Sequence, residues 1–258
     1  MNRNGISVPF QTSIHDGYRE DMPQDPTSPP LAGRKREALA NDRNVLVAAR
    51  EVFSLHGPEA TIAQVAERAG VGVGSIYRRY STKSTLVRAL HVAAIDELAQ
   101  IARECAEGAD AGEGTTSGAV EAFLRRHILE SFGPLIISSG EHPPATPEVD
   151  AASAALHEAL EQVLATDRAA GLVPAALTPA DLMLLITHLR PPLPLPREQA
   201  DALHLRYLGV VLVGLAQAAA SASSPTDTSA SDELATGPSW EDWLALWSSR
   251  GTGTAAGG

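Results

Sequence analysis

The sequence predicts an all-α fold. Apolar residues recur at helical spacing through much of the chain, alanine and leucine dominate them, and aromatic residues make up only 4% of the total. Strand-rich proteins draw instead on β-branched and aromatic residues, which pack well on a pleated surface. Hydrophobic residues make up 44% of the 258 residues, which is the share expected of a globular protein with a buried core.

Changes in composition divide the chain into segments. The start of the chain contains Pro, Ser and Asp without an apolar period, and Ser, Thr, Ala and Asp dominate a second stretch near the end. Such stretches do not bury enough apolar surface to fold. We expect a disordered tail at 1–33, a three-helix domain at 34–88, a helical body at 89–220, a linker at 221–238, a short docking helix at 239–247 and a disordered tail at 248–258.

The first helix of the 34–88 domain is predicted by apolar residues at helical spacing from Val45 to Phe53. Gly57-Pro58 is expected to end it, because glycine adopts positive φ readily and proline cannot continue a helix. Thr61 is followed three residues later by Gln64. This spacing predicts a capping box, in which each residue bonds the backbone of the other, at the start of a second helix.

Two short helices joined by a tight turn are expected around the glycines at 70 and 72. The second helix of the domain ends at Gly70 after about two turns, and a third runs from about Val73 to Tyr80 with Ile76 facing inward. Small residues, Ala66 and Ala69, permit the helices to approach closely. This arrangement is a helix-turn-helix, whose outer helix projects far enough to enter the major groove of DNA.

Charge is distributed unevenly along the chain. The formal net charge is −11, yet residues 34–88 hold ten Lys/Arg and five Asp/Glu, a net charge of +5. Residues 89–258 hold eight basic and 22 acidic side chains, a net charge of −14. Screening confines phosphate attraction to about 10 Å, so the local excess matters more than the total. The pattern indicates that one end of the protein binds a polyanion.

Four short pieces follow one another in order between Val45 and Leu86. They are Ala49…Phe53…Gly57, Thr61-Ile62…Val65-Ala66…Ala69-Gly70-Val71, Gly74-Ser75-Ile76-Tyr77 and Tyr80…Lys83…Leu86. Together they resemble the DNA-binding domain of the TetR family of bacterial transcriptional regulators. The later part, Leu182–Leu189, the Pro-rich run and Leu205–Leu215, is similar to the C-terminal domains of SbtR-type members.

The resemblance implies that the start of the outer helix faces base edges. Val73, Gly74 and Ser75 match those positions, where Val73 can contact a thymine methyl group and Ser75 can bond a base or a phosphate. Thr61 matches a position that commonly contacts a phosphate, although its capping role is sufficient to explain it. Ala63 matches a position that reaches DNA and offers only van der Waals contact.

The remaining implied contacts are mostly cationic. Tyr77 matches a tyrosine whose hydroxyl meets the phosphate backbone, and Lys83 stands where ammonium and helix N-terminus can meet one phosphate. Arg78 and Arg79 are expected to bind phosphate or to read guanine. Arg34 and Arg36, in the basic run Arg34-Lys35-Arg36, precede the first helix, and contact with the backbone or minor groove and a solvated charge run are both open readings.

The resemblance also implies a ligand-responsive homodimer. Two copies would bind a pseudo-palindromic operator in double-stranded DNA, and the body would bind a small-molecule effector, expected to be apolar or amphipathic. Repression is the expected outcome. We expect the dimer face on the helix at 197–220, where the apolar residues are Leu205, Leu208, Val211, Leu212 and Leu215.

Other features favour a cytoplasmic protein without a cofactor. Cys105 is the single cysteine, so no intrachain disulfide forms. We expect no membrane contact, since no stretch approaches the roughly 18 apolar residues of a span and the N-terminus does not read as a signal peptide. The scattered histidines lack metal-ligand spacing, so no metal site and no catalytic residues are expected.

Two competing functions fit the sequence less well. An enzyme with a glycine-rich nucleotide loop at 70–75 is disfavoured, because Ser75 stands where the third glycine belongs and the preceding segment is helical. An interaction module that no longer binds DNA is kept open by Gly72 and Gly74, which weaken the outer helix by roughly 1 kcal/mol each relative to alanine. We expect this helix to order fully only on DNA.

Overall fold

The computed structural model describes residues 31–108, 118–130, 146–191, 193–222 and 237–248, except the side chains of 31–41, 222, 247 and 248. Every regular element in these ranges is a helix, which confirms the all-α prediction. The helices are α1 (Leu31–His56), α2 (Ile62–Ala69), α3 (Val73–Arg79), α4 (Lys83–Ala106), α5 (Ala119–Glu130), α6 (Pro147–Ala169), α7 (Pro179–Leu189), α8 (Arg197–Ala222) and α9 (Trp240–Ser248), with a 3-10 turn at Gly57–Glu59.

The chain divides into two compact units after Asn41. The described part of the first unit is the helical backbone from Leu31 to Asn41, so α1 begins three residues before the expected domain start. The second unit begins at Asp42 and contains two clusters of buried apolar side chains. Most of the expected tails and of the expected linker lies outside the described residues.

The first cluster joins α1 from Val45 onward to α2, α3 and the first turns of α4. Each helix contributes side chains from one face, as the helical spacing predicted. Removing that apolar area from water is the main stabilising contribution to such a small helical domain. The buried members are Val45, Ala49, Val52, Phe53, Ala60, Ile62, Val65, Ala66, Ile76, Tyr80, Leu86, Val87 and Leu90.

The second cluster is the core of the helical body. It is formed by α4 beyond Ile95, α5, α6 and α7, and it receives one fully buried side chain, Leu208, from α8. Because α4 contributes its first turns to one cluster and its later turns to the other, this helix is shared by both cores.

A buried carboxylate fixes the start of α5. Asp167, near the end of α6, is 2% exposed, and its two oxygens accept hydrogen bonds from the backbone N–H groups of Ala119 at 2.7 Å and Val120 at 2.9 Å. Those amides belong to the first turn of a helix and have no partner within it. Gly118 is required beside them, because a Cβ there would lie 2.3 Å from the Asp167 carboxylate.

The short helix α9 packs on the body through its tryptophans. Trp243 is buried in the second cluster, and the ring of Trp240 stacks on His157 of α6 at 4.9 Å between centroids. The chain just before α9 is held at the start of α7, where the hydroxyl of Thr178 donates to the carbonyl of Pro238 at 2.9 Å. The buried Trp243 therefore holds α9 against the body.

The residues expected to form the dimer face lie on the side of α8 that packs against the body. Leu208 is fully buried, and the other four expected residues, Leu205, Val211, Leu212 and Leu215, are partly buried against the second cluster. The outward side is also apolar, since Tyr207, Val210 and Val213 are 61%, 64% and 72% exposed. A helix that is apolar all round gives no periodicity from which its inner face can be read.

The same apolar character overturns the expectation about membrane-spanning length. By length and composition the stretch Arg197–Ser221 is apolar enough to cross a membrane, with a mean hydropathy of 1.4 and 17% of the window buried. An uninterrupted run of apolar residues is not needed for this result, because a mean hydropathy over a window stays high when Gly and Gln stand between them. In this structure the helix packs on the body through Leu208.

Asp167→Ala should destabilise the protein by about 2–4 kcal/mol, because two buried N–H groups lose a charged acceptor. Chemical denaturation at fixed protein concentration measures the change. Glu158→Ala, at an exposed position on the same helix, is the control and should shift stability by less than about 0.5 kcal/mol. Equal stability of the two variants would show that the α5 cap contributes nothing.

Candidate nucleic-acid interface

The capping box predicted at the start of α2 is confirmed. The Thr61 hydroxyl accepts a hydrogen bond from the Gln64 N–H at 3.3 Å, and the Thr61 N–H donates to Gln64 Oε1 at 2.8 Å. The hydroxyl also donates to Gln64 Oε1 at 3.0 Å. Thr61 is exposed, so it presents a fixed hydroxyl at the surface while it starts the helix.

The turn between α2 and α3 is built on one glycine. Gly70 has φ +68°, and its N–H bonds the Glu67 carbonyl while the N–H of Val71 bonds the carbonyl of Ala66 at 3.0 Å. These two bonds are a Schellman motif, which needs a residue in the left-handed region at this position. Gly72 has φ −68° and ψ 139°, an ordinary extended conformation, so of these two glycines only Gly70 has a positive φ.

The helix α3 turns two side chains inward. Ile76 is 1% exposed and Tyr80, just beyond the last turn, is 7% exposed, and both belong to the first apolar cluster. The rest of the helix faces solvent, including the apolar Val73, which is 39% exposed, and Tyr77, which is 50% exposed. Two apolar-bodied side chains standing in solvent on a seven-residue helix indicate a contact surface.

Two of the three residues at 72–74, where α3 begins, are glycines. Gly72 occupies the N-cap position without a side-chain cap, and a Cβ placed on either Gly72 or Gly74 would meet no atom within 4 Å. Neither packing nor a positive φ therefore requires glycine at these two positions. The helix backbone is left directly accessible at the end that the sequence predicts to face base edges.

The two arginines of α3 have different partners. Arg78 donates from Nη2 to the hydroxyl of Ser75 at 3.0 Å, which places both polar side chains side by side on the exposed surface. Arg79 forms an ion pair with Asp42 of α1, with 2.6 Å between Nη2 and Oδ2. Local spacing contains no signal for the role of Asp42, because the two residues of this ion pair are 37 positions apart in the chain.

Lys83, at the first position of α4, is held by its own domain. Its ammonium donates to the Pro58 carbonyl and lies 5.5 Å from the centre of the Phe53 ring. Neither interaction neutralises the ammonium of Lys83, because the face of the ring and the carbonyl dipole are both uncharged groups that stabilise a positive charge. The side chain therefore joins α4 to the turn after α1 in this structure.

The other expected DNA contacts are placed as follows. Ala63 is exposed on α2, one residue after the first of the helix, and Ser75 is exposed on α3. The side chains of Arg34 and Arg36 lie outside the described residues, although their backbone belongs to α1. The structure thus brings together on one helix Val73, Gly74, Ser75, Tyr77, Arg78 and Arg79, with Thr61, Ala63 and Lys83 on its two neighbours.

Comparison with known proteins gives consistent matches. Residues 45–90 match the family model described as bacterial regulatory proteins, tetR family. The chain is 34% identical over 143 residues to the HTH-type transcriptional repressor LfrR of Mycolicibacterium smegmatis, covering 54% of this chain and 69% of that protein. It is similar to the crystal structure of a TetR transcription regulatory protein from Mycobacterium vanbaalenii, with a TM-score of 0.53, 25% identity and coverage of 70% and 98% of the two chains.

Substitution by alanine should have opposite effects on stability at Gly70, which has a positive φ, and at Gly74, which lies within α3. Gly70→Ala should destabilise the protein by about 1–2 kcal/mol, because a Cβ is strained at φ +68°. Gly74→Ala should stabilise it by about 0.5–1 kcal/mol, because the position is helical and open. Thermal denaturation of the two variants compares them directly, and a stabilised Gly70→Ala would contradict the Schellman turn.

Proposed function

We propose that this chain, which belongs to the tetR family of bacterial regulatory proteins, represses transcription as a homodimer on a pseudo-palindromic operator and releases it when a small molecule binds. The DNA-binding and regulatory character follows from the family. Repression is supported by the relative in Mycolicibacterium smegmatis, which is named a transcriptional repressor. We propose that the protein acts in the cytoplasm, which contains the bacterial DNA.

The outward surface of α3 is the observation that carries this proposal. Ile76 and Tyr80 attach the helix to the first apolar cluster, while Tyr77 and Arg78 are exposed to solvent. A phenol and a guanidinium suit the phosphate backbone, while Val73 and Ser75 at the start of the helix suit a thymine methyl group and a base edge. The roles of Thr61, Ala63 and Lys83 remain part of the proposal.

Selection from random duplex DNA should enrich a pseudo-palindromic site. A Tyr77→Ala/Arg78→Ala double variant should enrich none, because it loses two exposed contacts without touching the core. The measurement is sequencing of retained duplexes at moderate salt, with circular dichroism to show that both proteins are folded. Failure of the wild type to enrich any sequence above the variant would favour the interaction module instead.

The outward side of α8 is proposed as the dimer face. Leu203, Tyr207, Val210 and Gly214 follow one another at spacings of four, three and four, so they form one stripe along the helix. Leu203 is 39% exposed, Gly214 is exposed, and Val213, which is 72% exposed, adjoins the stripe three residues after Val210. An exposed apolar stripe of this kind marks an interaction surface, and two copies of the same stripe are self-complementary about a two-fold axis.

Val210→Asp/Val213→Asp should yield a monomer. Four buried carboxylates in the dimer would cost more than the lost apolar area can supply. Analytical ultracentrifugation should show half the mass of the wild type, and affinity for the selected duplex should fall at least about a hundredfold because two half-sites are no longer bound together. Leu172→Asp, at another exposed apolar position, is the control, and a dimeric Val210/Val213 variant would exclude this face.

The interior of the body favours an apolar or amphipathic effector. Its core is built of aliphatic side chains and Phe123, and His127 on α5 is buried as well. Burial, assisted by the charge of Arg190, lowers the pKa of His127 to about 4. The imidazole is therefore neutral at neutral pH and adds no charge to this apolar interior.

A further inference from the structure

Arg79 is the cation of α3 whose charge is cancelled within the chain. Its Nη2 lies 2.6 Å from Oδ2 of Asp42, whereas Arg78 bonds a neutral hydroxyl and Lys83 bonds a neutral carbonyl. The partners of Arg78 and Lys83 leave their positive charges available to a polyanion. The partner of Arg79 does not, so this arginine presents little net charge to DNA.

The pair is asymmetric in its exposure. The side chain of Arg79 is 56% exposed and that of Asp42 is 19% exposed. The carboxylate of Asp42 is therefore mostly covered, whereas the guanidinium of Arg79 stays largely in contact with solvent. A pair with an exposed guanidinium is weak because water screens it. A DNA phosphate at this surface can therefore compete with Asp42 for the guanidinium of Arg79.

We propose that Asp42 competes with DNA phosphate for Arg79 and so lowers the affinity of the protein for duplex DNA. This inference rests on the proposed DNA-binding function and adds a residue to it. Bound to Asp42, the arginine contributes no net charge to the attraction. Released from it, the arginine can neutralise one further phosphate, while the carboxylate left behind repels the same backbone.

The salt dependence of binding distinguishes this role from others. Each phosphate that a side chain neutralises displaces condensed counterions, and the slope of log K against log salt steepens by about 0.9 for each one. If Asp42 withholds Arg79, removing its charge adds a contact of this kind. If Asp42 instead orients α3 through Arg79, removing it weakens binding and flattens the slope.

The test uses the full chain and a labelled mixed-sequence duplex, titrated by fluorescence anisotropy at several salt concentrations. The variants are Asp42→Asn, Arg79→Gln and the two combined. Glu51→Gln is the matched control, because Glu51 also lies on α1 and pairs at 2.6 Å with an exposed arginine, Arg68, which belongs to α2 instead of α3.

Asp42→Asn should raise affinity about threefold to tenfold and steepen the slope by about 0.9, and the Arg79→Gln background should abolish both effects. The Glu51→Gln control should bind within about twofold of the wild type. Affinity that falls or stays unchanged in Asp42→Asn would overturn the inference, as would a gain that persists without Arg79. A wild type that binds no duplex would instead overturn the proposed function itself.

Discussion

Attachment of α3 by Ile76 and Tyr80 is the constraint on which the rest of the proposed DNA-binding surface depends. A helix of seven residues is not stable alone in water, because nucleation costs more than so few hydrogen bonds return. Its N-cap residue, Gly72, provides no side-chain cap, and its second residue, Gly74, is also a glycine. Burial of the two side chains in the first cluster therefore holds the helix and decides which residues face outward.

The electrostatics of this surface follow from the same arrangement. Arg78 and Arg79 lie on α3 and Lys83 lies at the start of α4, and each of these three cations has a partner in residues 34–88. A hydroxyl and a carbonyl orient a cation without cancelling its charge, whereas a carboxylate cancels it. The positive charge of this surface is therefore uneven, because Asp42 cancels the charge of Arg79 while the charges of Arg78 and Lys83 are not cancelled.

The sequence predicted the parts of the fold that depend on local spacing. The Thr61–Gln64 capping box, the end of α2 at Gly70 and the inward Ile76 all follow from neighbours within a few residues, and all are observed. Three features escaped prediction because distant parts of the chain create them: the Asp167 cap of α5, the Asp42–Arg79 pair and the orientation of α8. An apolar helix such as α8 reveals which side is buried only when its neighbours are known.

Amide hydrogen exchange across α3, measured with and without the selected duplex, shows whether this helix meets DNA. The amides of residues 73–79 should exchange fast in the protein alone, because the glycines weaken the helix, and duplex DNA should slow their exchange strongly. Exchange in α6 should stay unchanged on addition of DNA. Protection by DNA that left residues 73–79 unaffected and appeared elsewhere in the chain would show that α3 does not meet the duplex.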